Sequence, residues 1–344
     1  MTGKIAFSVI VTNHDYADFV GAAIASVKAQ TWGDVECIVV DDGSTDGSRD
    51  VIEAIPGVTA LFGPNQGQCR AAARGFAASR GDVVIFLDAD DRLDPEACAA
   101  IAAVWSDDLL AVMYRLRLQR GDVVTDETLP SVPFRCDEAL ALFRASGSFV
   151  SAPTSGNAFA RRLVDEVFRT GEGMTANAVD YWLCLSALLA GPTRAIDRAL
   201  GAYRIHGANI SAYGGRRSAR QLRREIVTAE NAQRSAQRIA LAHGRRFTPL
   251  PHVAGAYELK WYLLLRGLPG GDPALPEIPL AWAAARAVAA FARLEGVSLP
   301  RRLANIAEVI ALAVLPRRLR RLVALRLRGL RDDPPRLPEE ASSA

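Results

Sequence analysis

The sequence has no closely spaced cysteines, and this absence excludes two common kinds of site. The five cysteines are far apart, with no Cys-x-x-Cys pair and no histidine at metal-ligand spacing: Cys37, Cys69, Cys98, Cys136 and Cys184. A disulfide framework or a structural zinc site would need paired or clustered ligands. We therefore expect a chain that stays reduced and contains neither.

Long apolar runs are also missing. No stretch reaches the roughly 18 to 20 uncharged apolar residues that a membrane-spanning helix needs. The first five residues enter a strand pattern without the charged and apolar regions of a signal peptide. We expect a cytoplasmic protein, either free or peripheral on the inner face of the cytoplasmic membrane.

Two familiar phosphate-binding patterns are absent as well. No Gly-x-Gly-x-x-Gly follows the first apolar run, and Gly-x-x-x-x-Gly-Lys-Ser/Thr does not occur. Neither sign of charge dominates, because the net charge is only +3, but acids crowd the first half and arginines the last third. A phosphate group would need another kind of partner, and a bound metal ion would supply one.

The first hundred residues alternate strand and helix patterns. With 344 residues, half of them hydrophobic, the chain is long enough to bury a large core. Strands are predicted over 8–12, 37–40, 58–62 and 83–87, and helices over 16–30, 44–55 and 68–79. This alternation is typical of an α/β protein with a doubly wound, largely parallel sheet and right-handed crossovers.

The pattern changes beyond Pro95. A helix through Trp105 is followed by alternating residues over 110–118, a Gly-Asp turn at 121–122 and two valines, which predicts a β-hairpin in a mixed sheet. We expect one catalytic domain over residues 1–213. Only helices are predicted over 214–331, including an arginine-rich helix over 217–242, and a disordered tail over 332–344.

Carboxylates follow two of the predicted strands directly. Asp41 and Asp42 follow one strand, and Asp88 and Asp90 follow another, so both pairs should lie in the crevice beyond the strand ends, where ligands bind. An Asp-x-Asp pair can present oxygens to Mg²⁺ or Mn²⁺. The simpler interpretation is a pair of ordinary solvated turns. Asp91 is expected to cap or turn the following segment.

Six segments together carry a resemblance. Residues 8–13, 41–46, 65–68 and 86–91, followed by 180–183 and 203–209, occur in the order and spacing of family 2 glycosyltransferases. The chain resembles that family over about residues 5 to 211. The resemblance implies a GT-A fold, a Rossmann-like doubly wound mixed sheet, with a C-terminal helical region.

The resemblance also implies residue roles. The nucleotide-sugar donor would be bound by Thr12, Asn13, Asp42, Gly67 and Asp88, with Asp42 accepting a hydrogen bond from a base N–H. A Mn²⁺ or Mg²⁺ ion would be held by Asp90, Asp88 and His206, and Asp180 would be the catalytic base. The chain departs from the family at Ala73, where an Asn is usual, which puts donor contacts from that helix in question.

Taken without the resemblance, several of these residues have simpler explanations. Asp180 precedes Tyr-Trp-Leu and would then be a helix-start residue interacting with the helix dipole. His206 would be a surface or hydrogen-bonded histidine. Trp182 and Phe159 could stack on a sugar, but core packing is the stronger expectation.

The implied activity is a metal-dependent, inverting sugar transfer. The donor would be a nucleotide diphosphate sugar, foremost a UDP-sugar, and the acceptor a glycan, a lipid-linked glycan or another polar molecule, as in polysaccharide synthesis for the cell envelope. Two alternatives stay open: a non-catalytic scaffold that binds nucleotide-sugar or glycan, and a nucleotidyltransferase. The second is disfavoured because residues 12–15 lack a glycine-rich, basic activating loop.

Arginines alternate with leucines and a valine over residues 317–328. A basic amphipathic stretch of this kind can lie on anionic lipid, which predicts peripheral membrane contact through the C-terminal helices. The alternative is a helical appendage with its arginines in solvent. Nucleic-acid binding is not expected, because aromatic residues do not alternate with the arginines.

Overall fold

The computed structural model describes residues 5–170, 179–206, 217–245, 255–266, 275, 277–294, 297–316, 319 and 330–331. These residues divide into two compact units. The first contains the described residues of Met1–Arg144, Phe149–Asn209 and Glu230–Leu250, and the second those of Ala145–Ser148, Ile210–Ala229 and Pro251–Ala344.

The first unit is built on one mixed sheet of nine strands. The strand order is β3-β2-β1-β4-β8-β6-β9-β5, and β7 pairs with β6. The strands are β1 (Phe7–Asn13), β2 (Val35–Asp42), β3 (Thr59–Gly63), β4 (Val83–Asp88), β5 (Arg92–Leu93), β6 (Ala111–Arg120), β7 (Val123–Leu129), β8 (Asn157–Ala160) and β9 (Thr193–Ile205).

Helices cover this sheet. They are α1 (Ala17–Lys28), α2 (Ser48–Glu53), α3 (Gln68–Ala77), α4 (Ala97–Val104), α5 (Cys136–Ser146), α6 (Arg161–Thr170), α7 (Val179–Ala190) and α8 (Ala219–Ala242), with a 3₁₀ turn at Thr154–Gly156. The two compact units divide within α8.

The central strands are buried on both faces. In β1, Val9 and Val11 pack with α1, α2 and α4, whereas Ile10 between them packs with α3, α6 and α7. Successive side chains of a strand point to opposite faces, so a continuous apolar run indicates helices on both sides. The prediction of a doubly wound mixed α/β sheet is confirmed.

The predicted hairpin and most element positions are also confirmed. β6 and β7 are antiparallel neighbours joined at the Gly-Asp turn. The helix expected to begin within 44–46 begins later, at Ser48, because Ser44 is held elsewhere and Asp46 accepts the backbone N–H of Ser48 from outside the helix.

The second unit is mainly helical. It contains α9 (Ala256–Arg266), α10 (Leu280–Arg293), α11 (Leu299–Val314) and the first part of α8, packed around Tyr262 and Phe291. The prediction of helices alone in this region was wrong, because β10 (Arg217–Ser218) and β11 (Leu330–Arg331) form a short parallel pair. That pairing joins residues far apart in sequence, which local patterns do not reveal.

Two expectations fall on residues whose structure is not described. The tail over 332–344 lies wholly outside the described residues, and so do all but one of residues 317–328. Among the helices that are described, none is both long and apolar enough to cross a bilayer.

Candidate active site at the carboxyl ends of the central strands

The site is formed where three neighbouring strands end. Because β1 is parallel to both β2 and β4, Thr12 pairs with Asp88 and Asn13 with Asp41 at the same edge of the sheet. The 3₁₀ turn contributes Ser155, and the end of β9 contributes Arg204 and His206. The predicted crevice therefore brings together residues from five separate segments.

Asp41 fixes the loops after β1 and β2. Its carboxylate accepts hydrogen bonds from Asn13 Nδ2 at 2.8 Å and from the backbone N–H of Ser44 at 3.0 Å. Asn13 Nδ2 also donates to Ser44 Oγ, while the buried Asn13 Oδ1 has no hydrogen-bond partner within the described part of the chain. Asp41 thus orders the loop.

Asp42 fixes the start of α3. Its carboxylate accepts the backbone N–H groups of Gln66, at 3.0 and 3.1 Å, and of Gly67, at 2.7 Å. Gly67 has φ 88° and ψ 159°, a conformation that is nearly restricted to glycine, so the sequence needs glycine there. Both carboxylates of the Asp41 and Asp42 pair therefore accept hydrogen bonds that order loops.

Helix α3, which has Ala73 where the resemblance predicts Asn, places a positively charged side chain near Asp42. Arg74 follows Ala73 on α3, and its Nη1 lies 3.9 Å from Asp42 Oδ1. That guanidinium nitrogen is buried without a hydrogen-bond partner among the residues described. The Arg74 guanidinium therefore lies close to Asp42, the carboxylate predicted to bind the base.

Asp88 is the last residue of β4. Its Oδ1 accepts hydrogen bonds from Gln68 Nε2 at 2.7 Å and, at 3.5 Å, from Thr12 Oγ1. Burial, followed by the negative charges of Asp90 and Asp180, raises the pKa of Asp88 to about 7. A nearby cation would relieve this accumulation of negative charge.

Asp90 lies against the end of β9. Its Oδ2 is 2.9 Å from His206 Nε2, and its backbone oxygen accepts a hydrogen bond from Arg204 Nε at 3.0 Å. The His206 ring stacks on Phe19, with centroids 4.9 Å apart, and meets the Tyr16 ring edge-on at 5.4 Å. The imidazole orientation is therefore fixed from three sides.

Asp91 was expected to cap or turn the following segment. Its backbone N–H closes a turn on the carbonyl oxygen of Asp88 at 3.0 Å, but its side chain does not cap that segment. The side chain is buried and accepts hydrogen bonds from Ser155 Oγ at 2.6 Å and from the backbone N–H of Arg204 at 3.0 Å. Ser155 Oγ in turn accepts the backbone N–H of Asp88 at 3.1 Å. The Asp91 side chain therefore joins three segments, and burial raises its pKa well above the usual range.

Asp180 is the second residue of α7, as its sequence position indicated. Its Oδ1 accepts the backbone N–H of Tyr181 at 2.8 Å. Burial raises its pKa, and its charge contributes to the raised pKa of Asp88. Trp182 and Phe159 are buried in the core, which confirms the packing role predicted for both.

The predicted metal ligands come together only in part. Asp90 and His206 form a pair, whereas the Asp88 carboxylate accepts hydrogen bonds from Gln68 and Thr12. Across the described residues there is no group of three or more His, Cys, Asp or Glu side chains that could hold a metal ion. Asn209, the last residue of the resembling segment 203–209, lies outside the described residues.

Comparison with known proteins identifies the family. Residues 8–168 match the model of "Glycosyl transferase family 2". This region is a family 2 glycosyltransferase domain. The matched range contains β1, β2 and β4 and therefore every strand end that carries a candidate site residue, except the end of β9.

Curated proteins similar to the family 2 domain include bacterial relatives. An uncharacterized glycosyltransferase of Nostoc sp. is 37% identical over 210 residues, which are 59% of this chain and 65% of that protein. The succinoglycan biosynthesis protein ExoO of Rhizobium meliloti is 30% identical over 223 residues, covering 59% of this chain and 61% of that protein. The chain thus spans a little under two thirds of the length of these relatives.

A solved structure shares the fold. S. aureus TarS 1–349, crystallised in complex with UDP, is similar with a TM-score of 0.51 and 15% identity, covering 90% of this chain and 89% of that one. At this identity the likeness supports the architecture alone. The expected GT-A fold of the family 2 domain is confirmed.

Sequence reasoning missed three residues of the family 2 site. Tyr16 packs on His206, and burial together with the charges of Asp90, Asp88 and Asp91 raises its pKa to about 12. Ser155 connects Asp88 to Asp91, and Gln68 bonds Asp88. Only Gln68 lay within a recognised segment; the other two had no local sequence signal.

Proposed function

We propose that this protein is a metal-dependent, inverting glycosyltransferase that moves a sugar from a nucleotide diphosphate donor, foremost a UDP-sugar, to a polar acceptor such as a glycan or lipid-linked glycan. The observation that carries the proposal is the meeting of Thr12, Asp88 and Asp90 at one sheet edge, with Asp180 close enough to raise the pKa of Asp88. Ligands of open α/β sheets bind at this edge.

The loops after β1, β2 and β3 would hold the donor. Thr12 and Asp42 would line the base pocket, Asn13 and Gly67 would shape it, and Asp88 would face the ribose or the metal. The hydrogen bonds from Asn13 to Asp41 and from Gly67 to Asp42 support this assignment, because they fix the conformation of both loops. A preformed pocket costs less ordering on binding.

The donor atoms at the end of β9 suit a divalent cation. Mg²⁺ and Mn²⁺ commonly use one or two carboxylates and complete their coordination with water and substrate phosphates, so a complete cage of protein ligands is not required. Asp90 would supply an oxygen and His206 a nitrogen. Asp88, two residues before Asp90, would supply a further oxygen. A cation bound there would stabilise the negative charge of the departing diphosphate.

Asp180 would be the general base. An inverting displacement needs an acceptor hydroxyl to lose its proton on the side of the sugar opposite the diphosphate. The half-buried carboxylate of Asp180 accepts a hydrogen bond from the backbone N–H of Tyr181, which holds it at the first turn of α7. Its raised pKa favours proton uptake during the reaction.

The organisation of the chain is part of the same proposal. Residues 1–213 would form the catalytic domain and residues 214–331 a helical region that contributes to acceptor choice. A role in polysaccharide synthesis is supported by the similarity to ExoO, a succinoglycan biosynthesis protein. The protein would act in the cytoplasm, at its membrane surface where the acceptor is lipid-linked.

Product analysis tests the proposal. The protein would be incubated with UDP-sugars and GDP-sugars, with and without Mn²⁺, in the presence of a panel of glycan acceptors. We expect metal-dependent release of a nucleoside diphosphate and a product of inverted anomeric configuration. Release of pyrophosphate would identify a nucleotidyltransferase, and donor binding without turnover across the panel would identify a non-catalytic scaffold.

A further inference from the structure

Helix α11 has one buried and one exposed apolar side. Val309 and Leu312 are 0% and 1% exposed, whereas Leu299, Leu303, Ile310 and Val314 are 59%, 56%, 49% and 72% exposed. The exposed Ala307 lies between them. We refer to these five exposed residues as the α11 apolar face.

The spacing makes this face continuous. Its residues follow one another at intervals of four, four, three and four positions, the separation at which side chains lie above one another on a helix. Single exposed hydrophobic residues are ordinary on a protein surface, but an extended row of them marks an interaction surface. The α11 apolar face therefore has the form of a contact site.

Charge indicates what this face contacts. Glu308 is the one acid of α11, all of which is described, and it is paired with Lys260 of α9, which also donates to Asn305 at 2.7 Å. The exposed residues of α11 include Arg301 and no acid. The outward side of the helix therefore combines apolar and positively charged groups only.

The sequence around the helix has the same charge. Residues 299–331 contain nine arginines and a single acid, Glu308. A second copy of the chain would bring two such positive regions together, whereas the headgroups of anionic lipids would neutralise them. With no spanning helix among those described, the fitting geometry is a helix lying in the bilayer interface.

We propose that the α11 apolar face docks this protein peripherally on an anionic lipid surface. Leu303, Ile310 and Val314 would enter the boundary between headgroups and acyl chains, and Arg301 would remain among the phosphates. This surface differs from residues 317–328, where the sequence pattern predicted membrane contact. It is also independent of the proposed transfer reaction, because the α11 apolar face contains no candidate active-site residue.

Vesicle co-sedimentation of the full chain tests this inference. The wild type is compared with Leu303→Glu, Ile310→Glu and the milder Leu303→Ser on vesicles of phosphatidylcholine, with and without phosphatidylglycerol. We expect binding to the anionic vesicles only, and each Glu variant to bind about tenfold more weakly, since it places a charge at the apolar boundary. High salt should weaken wild-type binding.

Val123→Glu is the matched control, because Val123 is 65% exposed on the β6–β7 hairpin of the first unit. It should bind anionic vesicles as the wild type does, and all variants should keep the wild-type melting temperature, since these side chains are exposed. The inference is overturned if the wild type does not bind anionic vesicles, or if the α11 variants bind them as strongly as Val123→Glu does. If the wild type forms a dimer that the α11 variants lose, while vesicle binding is unchanged, the α11 apolar face contacts a second copy of the chain and the inference is overturned.

Discussion

Asp90 and His206 lie 116 residues apart in the chain, yet Asp90 Oδ2 and His206 Nε2 are 2.9 Å apart. The contact joins the loop after β4 to the end of β9, and the Phe19 and Tyr16 rings hold the imidazole against the carboxylate. Asp90 and His206 are thus two of the three proposed metal ligands that the structure brings into direct contact.

Replacing His206 tests that pair. His206→Ala should weaken Mn²⁺-dependent binding of a nucleoside diphosphate by about tenfold, the low end of what losing a metal-site contact costs. Isothermal titration with UDP and Mn²⁺ measures the change. Binding without metal should be affected much less.

His243→Ala is the control for the histidine change. His243 also pairs with a carboxylate, Glu166, at 2.8 Å, but that pair joins α6 to the residue after α8 and lies away from the strand ends. Its replacement should leave UDP affinity unchanged. Equal loss of affinity in both variants would contradict a specific role of His206.

Ser155 should be a structural support of the acid loop. Its hydroxyl accepts from Asp88 N–H and donates to Asp91. Ser155→Ala removes both hydrogen bonds, leaving Asp91 with the one from Arg204 N–H, and should lower the free energy of unfolding by about 1–3 kcal/mol. Ser186 is equally buried, but its hydroxyl has no hydrogen-bond partner among the described residues. Ser186→Ala should be close to neutral in the same chemical denaturation experiment, and similar losses in both would refute the assignment.

Asp180→Asn separates chemistry from binding. The amide keeps the size of the side chain but cannot take a proton, so kcat should fall by about 10²–10⁴-fold, the typical contribution of a general base. The donor affinity should stay near the wild-type value. An unchanged turnover number would eliminate Asp180 as the base.

The pH dependence of kcat should report the same residue. A general base acts only when ionised, and burial raises the pKa of Asp180 above the ordinary value of about 3.9. As the pH falls, the rate should therefore decline earlier than for an exposed aspartate and reach a plateau above the raised pKa. This profile is obtained from kcat measured at saturating donor, with the donor affinity titrated separately at each pH. A kcat that declines only near pH 4 would contradict the prediction.

Much of the site was predictable because it follows from periodicity. The apolar runs that form β1, β2 and β4 indicate buried parallel strands, and parallel strands bring Thr12, Asp42 and Asp88 to one edge. The remainder depends on contacts between distant segments. Nothing around Ser155 or Tyr16 indicates that one bonds the loop after β4 or that the other packs on His206.

Asp91 illustrates the same limit. An aspartate directly after an Asp-x-Asp pair has the local pattern of a turn residue, and that pattern favoured a cap or turn. The backbone N–H of Asp91 does close a turn on Asp88, but its side chain pairs with Ser155 and with the backbone N–H of Arg204, which is 113 residues away in sequence. The short β10–β11 pair was missed for the same reason, because its partner strands lie at opposite ends of the second unit's sequence.

Thermal unfolding with nucleoside diphosphates, with and without Mn²⁺, tests the central claim most directly. A ligand at about 100 times its dissociation constant adds roughly 2.7 kcal/mol to the stability of the native state. The account predicts that UDP together with Mn²⁺ raises the melting temperature and that neither does so alone, with the shift lost in Asp90→Ala. A folded protein that none of the nucleoside diphosphates stabilises, with or without metal, would contradict it.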